Sequence, residues 1–125
     1  GKIQFDLQAP QEAVMANISP TLMNWVMENL LKNALDAMDG TGSITVKMTA
    51  NDAHVTIDVT DTGKGISSGN LQKVFAPGFT TKKRGWGLGL ALAKRIIEMY
   101  HEGKIFVKSS EENQGTTFRI ELKST

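Results

Sequence analysis

Apolar and polar positions alternate at Ile3, Phe5 and Leu7, the two-residue period of a half-buried strand. A second, shorter strand is predicted within residues 13–18. Ser19 followed by Pro20 is a helix opening, with the serine as N-cap and the proline in the first turn. Met23, Val26, Met27, Leu30, Leu31, Ala34, Leu35 and Met38 then recur at three- and four-residue intervals until Gly40 stops the pattern. Alternation returns in residues 43–50 and 54–61, which are joined around Asn51 and Asp52 and predict a β-hairpin. Between Thr62 and Gly87 periodicity lapses, apart from a short helix expected near residues 70–75, and this glycine-rich stretch reads as the loop region that builds a site. A second helix is predicted from residue 88 to about residue 101, and residues 103–110 and 116–123 predict a closing hairpin. Strands, helix, hairpin, loops, helix and hairpin in that order predict an α+β fold, a two-layer sandwich with helices on one face of a mixed sheet.

The chain has 125 residues, the size of one ordinary domain, and neither repeats nor linkers divide it, so residues 1–125 are read as a single domain. Fourteen basic residues against thirteen acidic ones give a formal charge of +1, without the electrostatic footprint of a nucleic-acid binder. The apolar runs fall well short of the ~20 residues that a membrane-spanning helix needs, so no direct membrane insertion of this domain is expected. Zero cysteines exclude disulfides and thiolate metal sites and are compatible with a reducing, cytoplasmic setting. The chain opens GKIQFDLQAP, directly into a strand and without an initiator methionine, as expected of a piece of a longer protein.

Gly85, Gly87 and Gly89 stand at every second position and lead into a helix-forming run. Their spacing is not that of a dinucleotide fingerprint, and no Lys-Ser or Lys-Thr ending marks a P-loop. Glycines still allow close backbone approach to an anion at a helix start, so a phosphate site of another family is expected. On the first helix, Asn29, Asn33 and Asp36 stand at i, i+4 and i+7 and share one stripe, with the apolar ridge expected on the opposite face. Their oxygens suit a hard cation such as Mg²⁺, although a solvated helix face produces the same stripe. Asparagine is a poor helix former, so two inside a helix ask for a reason.

Asp61 is in phase with the inward-facing Val55, Ile57 and Val59. A carboxylate at the end of a buried row needs hydrogen-bond donors, and a purine's exocyclic amino group is one; a simple turn with nearby glycines is the alternative. Gly63 and Gly65 leave bare backbone where a flat ring could pack. The FTTKKR segment at residues 79–84 supplies hydroxyls and positive charge to neutralise a polyphosphate, or forms only a surface loop. His54, outward on its strand, and His101, at a helix end where the dipole favours a cation, read as structural.

In this order, NLLKNALDAM, DTGKGI, VFAPGFTTK and GWGLGLALAKRIIEMYHEGKIFVKSS resemble the N box, first glycine box, F box and second glycine box of sensor histidine kinases, within the ATPase superfamily shared with gyrase, heat-shock chaperones and mismatch-repair proteins. The resemblance runs from about Met23 through GTTF to the final hairpin. It implies the Bergerat fold, a mixed sheet of about five strands with three helices on one face. It further implies Mg²⁺ on Asn33, with Asn29 near the phosphates and both in catalytic roles, and the adenine amino group on Asp61. Gly63, Gly65 and Ile66 would flank the base; Thr80, Thr81 and Lys82 would belong to the ATP lid; Gly85, Gly87, Leu88 and Gly89 would serve the phosphates. A hydroxyl from Thr116 or Thr117, with Thr117 preferred, would support the adenine pocket. Asp36 would complete the ATP-binding set, though many relatives carry a basic residue there, and Lys82, Lys83 or Arg84 would replace that contact. Trp86 stands where a small residue is common, suggesting packing on the lid or a docking role.

The implied activity is transfer of the ATP γ-phosphoryl group to a histidine of a dimerisation domain absent from this chain, with a response regulator downstream and the isolated domain a monomer. A gyrase- or chaperone-type hydrolase is disfavoured because Asn29 is an amide where that class carries a glutamate base, and Glu28 is turned ~100° away along the helix. A pseudokinase that binds without reacting is disfavoured by Asn33, Asp61 and the glycine loop.

Overall fold

The computed structural model describes residues 1–10, 16–78 and 89–124. Its five strands are β1 (Ile3–Gln8), β2 (Gly42–Ala50), β3 (His54–Asp61), β4 (Lys104–Glu111) and β5 (Gly115–Lys123), arranged as β1-β2-β3-β5-β4 in one sheet. β1 runs parallel to β2 and the remaining neighbours are antiparallel, so the sheet is mixed as expected. Helix α1 (Pro20–Met38) and helix α2 (Gly89–Arg95), the latter continued by a π-helical turn at Ile96–Tyr100, pack on one face. Together they form the two-layer α+β sandwich.

Local chemistry sets the ends of α1. The Ser19 hydroxyl accepts from the Leu22 amide at 3.4 Å and Pro20 occupies the first turn. At the other end Asp39 takes a left-handed conformation (φ 52°), followed by Gly40 at φ 89°, which closes the helix where the glycine predicted. In the β2–β3 turn the Asn51 side chain accepts from the amides of Ala53 and His54, each at 2.8 Å, and so mimics a backbone turn. Met23, Val26, Leu30, Ala34 and Met38 of α1 meet Ile44, Val46, Val55, Ile57 and Val59 of the sheet in the core. Ala93, Ile96 and Ile97 continue that core toward Ile105, Phe118 and Ile120.

Four expectations change. Phe5 and Leu7 are 57% and 62% exposed rather than half-buried, because β1 is an edge strand and α1 packs over β2 and β3. The strand expected within residues 13–18 reduces, among the described residues, to one bridge from Ala16 to Ser124; residues 13–15 lie outside them. The short helix near residues 70–75 is a 3₁₀ turn at Ser68–Asn70, a span too short to accumulate α-helical hydrogen bonds. His101 is structural, as expected, but not as a helix-end cation. Its Nε2 accepts the Ser19 amide at 3.0 Å, so Nδ1 carries the proton and donates to the Ile96 carbonyl at 2.9 Å, and the buried neutral ring ties the end of the π turn to the start of α1.

Candidate functional site

Three pieces of chain converge beside α1. Asn29 and Asn33 are half-buried and Asp36 is exposed, so this stripe flanks the core ridge rather than standing opposite it. That placement corrects the expected geometry: Asn29 and Asn33 each precede a buried ridge residue, Leu30 and Ala34, by one position, about 100° around the helix, so the stripe lies beside the ridge rather than about 180° from it. The Asn29 Nδ2 donates to the Trp25 carbonyl at 2.8 Å. Its Oδ1 faces Gly89, where a Cβ would sit 2.7 Å away, so the first residue of α2 closes directly on the asparagine. Glu28 is exposed on α1, in keeping with an outer-face role.

The second piece is the end of β3. Asp61 is 5% exposed, and the Gly63 amide donates to its Oδ1 at 2.8 Å. Burial pushes the Asp61 carboxyl above the usual carboxylate range, while the Gly63 and Thr116 amides pull against that shift. A carboxylate held this way has oxygens fixed by backbone donors and favours a further donor. Gly63 is buried against the last turn of α1: its absent Cβ would meet Ala37 O, C and Cβ at 2.5, 2.6 and 2.7 Å. The Lys64 amide bonds Ala37 O at 2.9 Å and fastens the loop there.

The third piece is the turn between β4 and β5. Gly65 has φ 74°, and a side chain on it would collide with the Glu111 carbonyl. Asn113 donates to Lys64 O at 2.7 Å, and the Ile66 amide donates to Ser110 Oγ at 2.8 Å. The loop carrying Gly63, Gly65 and Ile66 is thus fastened on both sides. Thr116 is buried on the Asp61 side and pairs with Asp61 in register. Thr117, preferred from the sequence, points to the opposite face, where its hydroxyl meets Thr60 Oγ1 at 2.9 Å; alternation along β5 makes Thr116 the hydroxyl on the site side.

Thr80, Thr81, Lys82, Gly85, Gly87 and Leu88 lie outside the described residues, as do Lys83, Arg84 and Trp86; Gly89 alone represents the second glycine loop. Sequence reasoning missed Ser110 and Ala37. Nothing in the periodicity marks an alanine as a landing surface for a glycine, and Ser110 is aimed by a strand irregularity invisible in the pattern. Among the described residues no cluster of three His, Asp or Glu side chains could cage a metal. The asparagine flank instead suits a hard cation that takes few protein ligands and completes its shell with water and phosphate oxygens.

A two-layer sandwich with a buried aspartate at the end of β3, asparagines on the flanking helix and glycines at each chain crossing has the features of a nucleotide-binding ATPase-type domain. The chain belongs to the family described as histidine kinase-, DNA gyrase B- and HSP90-like ATPases, whose model matches residues 19–125. Within that family it is similar to sensor histidine kinase ZraS of Escherichia coli (strain K12), 40% identical over 121 residues that make up 97% of this chain and 26% of that protein. Sporulation kinase E of Bacillus subtilis (strain 168) is 39% identical over 121 residues, 96% of this chain and 16% of that protein. The chain therefore spans about a quarter or less of these curated relatives. The nucleotide-free catalytic domain of histidine kinase ThkA superposes with a TM-score of 0.87 at 33% identity, covering 98% of this chain and 81% of that one. ThkA solved in complex with response regulator protein TrrA gives a TM-score of 0.82 at 29% identity, covering 98% of this chain and 34% of that one. The fold is that of histidine kinase catalytic domains. Among the described residues no helix is long and apolar enough to cross a membrane.

Proposed function

We propose that residues 1–125 are the catalytic, ATP-binding domain of a longer cytoplasm-facing sensor kinase, and that the domain donates the γ-phosphoryl group of Mg-ATP to a histidine on a separate dimerisation and phosphoacceptor domain. The observation that carries this reading is Asp61: a buried carboxylate, oriented by the Gly63 amide, at a junction where Gly63, Gly65 and Gly115 let neighbouring backbone approach closely. Such a group accepts the exocyclic amino group of adenine and orients the base, with the Thr116 hydroxyl beside it. Orientation of the base would direct the far end of the nucleotide toward Asn29, Asn33 and Gly89, which lies against Asn29.

Asn33 is the residue that would hold Mg²⁺, and Asn29 would border the phosphates. Held there, Mg²⁺ would supply positive charge beside the transferring phosphoryl group. The chain's own contribution is positioning: an incoming imidazole nitrogen forms the N–P bond while the bond from the γ-phosphorus to the bridging oxygen breaks, releasing ADP. Asn29, as an amide, activates no water, and Glu28 faces away from the site, which favours transfer over hydrolysis. A response regulator would then take the phosphoryl group from the phosphohistidine. The test is to mix this domain with a separately prepared phosphoacceptor domain and γ-labelled ATP. Label stable to base but labile to acid on the acceptor supports the proposal, and label released only as free phosphate contradicts it.

A further inference from the structure

The β4–β5 pairing carries an irregularity that decides what faces the nucleotide site. Ile105 and Val107 of β4 pair with Ile120 and Phe118 on the core side, and strict alternation would aim Ser109 the same way. A register shift between Val107 and Ser109 reverses the phase, so Ser109 pairs with Thr117 on the open face and Ser110 pairs with Thr116 on the site side. Ser110 then sits at a junction. Its Oγ accepts the Ile66 amide at 2.8 Å, meets Thr116 Oγ1 at 2.8 Å and lies 3.3 Å from Gly115 O.

Counting protons assigns these bonds. Ser110 has a single hydroxyl proton, and either it or the Thr116 proton bridges the two oxygens. Given to Gly115 O, the Ser110 proton would make the longest bond of the set, and Thr116 would spend its own proton on Ser110. Given to Thr116, it makes a bond of ordinary hydroxyl length, and the Thr116 proton is left for another acceptor. A donor at Thr116 beside an acceptor at Asp61 complements adenine, whose N1 accepts and whose amino group donates. The same pair opposes guanine, which presents an N–H and a carbonyl at those two positions.

We propose that Ser110 is a positioning residue that holds the Thr116 hydroxyl as a donor and thereby sets the preference of this site for adenine over guanine. The inference rests on the reading of Asp61 as the base-binding carboxylate. The test is calorimetric titration of the 125-residue chain, Ser110→Ala, Ser110→Thr, Ser110→Cys and Asp61→Asn with non-hydrolysable ATP and GTP analogues in Mg²⁺, with a thermal melt of each. Ser110→Ala and Ser110→Cys should narrow the adenine-to-guanine preference about tenfold, the scale of one hydrogen bond, while Ser110→Thr keeps it. Equal loss of both affinities, or an unchanged ratio, in Ser110→Ala and Ser110→Cys overturns the role of Ser110. If the ratio is unchanged there while Asp61→Asn abolishes adenine binding, Ser110 alone is refuted and the pocket stands. No binding by the unaltered chain overturns both readings.

Discussion

Gly63→Ala tests how tightly the loop after β3 is clamped to α1. An added Cβ would lie 2.5 to 2.7 Å from the oxygen, carbonyl carbon and Cβ of Ala37, atoms of a helix backbone and a methyl that has no rotamer to escape into. Ordinary contact needs about 3.5–4.0 Å, so the loop and helix must part by roughly 1 Å. Overpacking of that kind costs about 1–3 kcal/mol. Parting also stretches the 2.9 Å bond from the Lys64 amide to Ala37 O, a further loss of about 1 kcal/mol. Against this, replacing glycine restricts the unfolded chain and returns about 0.4–1 kcal/mol. The net cost is about 1–3.6 kcal/mol. For a chain of 125 residues, unfolding entropy near 2.1 cal/mol/K per residue makes 1 kcal/mol worth about 4 °C, so the melting midpoint should fall by roughly 4–14 °C. The internal control is Gly69→Ala, where an added Cβ meets nothing within 4 Å and the backbone is not left-handed; its midpoint should stay the same or rise by up to about 4 °C. Thermal unfolding followed by circular dichroism reads both. Equal midpoints for the two variants would refute the clamp.

Asp61 has a raised folded pKa, so its stabilising contribution is present below the unfolded carboxylate value and is lost as pH rises through the folded value. On the proposed role of Asp61, nucleotide binds the ionised form, the one that costs folding energy, so ATP-analogue affinity should fall on acidification at a pH above the ordinary aspartate range. Titrations between about pH 4 and 7 that show no such loss would contradict this. Asp58 behaves oppositely: bidentate hydrogen bonds from Arg119, at 2.7 and 2.8 Å, hold its pKa down, so its stabilisation is present above the unfolded value and disappears as pH falls through the folded one. Asp58→Asn should cost about 1 kcal/mol at pH 7 in chemical denaturation, with the gap to the unaltered protein closing below about pH 4. A gap independent of pH would exclude the ion pair as its cause. His101→Ala strands the Ser19 amide and the Ile96 carbonyl, a loss of about 2–3 kcal/mol that should lower the melting midpoint by about 8–12 °C; a fall under 3 °C would show that neither bond matters.

The elements most legible in the sequence are those whose pattern and boundaries agree. α1 carries Ser19 and Pro20 at one end, Gly40 at the other and an unbroken apolar ridge between them, so packing, caps and propensity point the same way. The β2–β3 hairpin was equally readable because alternation on both sides meets Asn51, whose side chain makes the turn. Asp61 was identifiable because a charge in phase with Val55, Ile57 and Val59 breaks the rule for a buried row. Less of the site's wall was readable. Choosing between Thr116 and Thr117 requires strand phase relative to Asp61, and the role of Ser110 depends on a bulge that leaves no mark in hydrophobic periodicity. The exposure of Phe5 and Leu7 depends on β1 being an edge strand, a property of the whole sheet's order rather than of local alternation.

The most direct measurement is calorimetric titration of this domain with a non-hydrolysable ATP analogue, with and without Mg²⁺, for the unaltered chain, Asp61→Asn and Asn33→Ala. The account predicts Mg²⁺-enhanced binding by the unaltered chain. Asp61→Asn should lose about 2–5 kcal/mol of binding energy, and Asn33→Ala should retain binding of the base but lose its Mg²⁺ dependence. Asp61→Asn binding as tightly as the unaltered chain would contradict the central claim that this buried carboxylate reads the nucleotide.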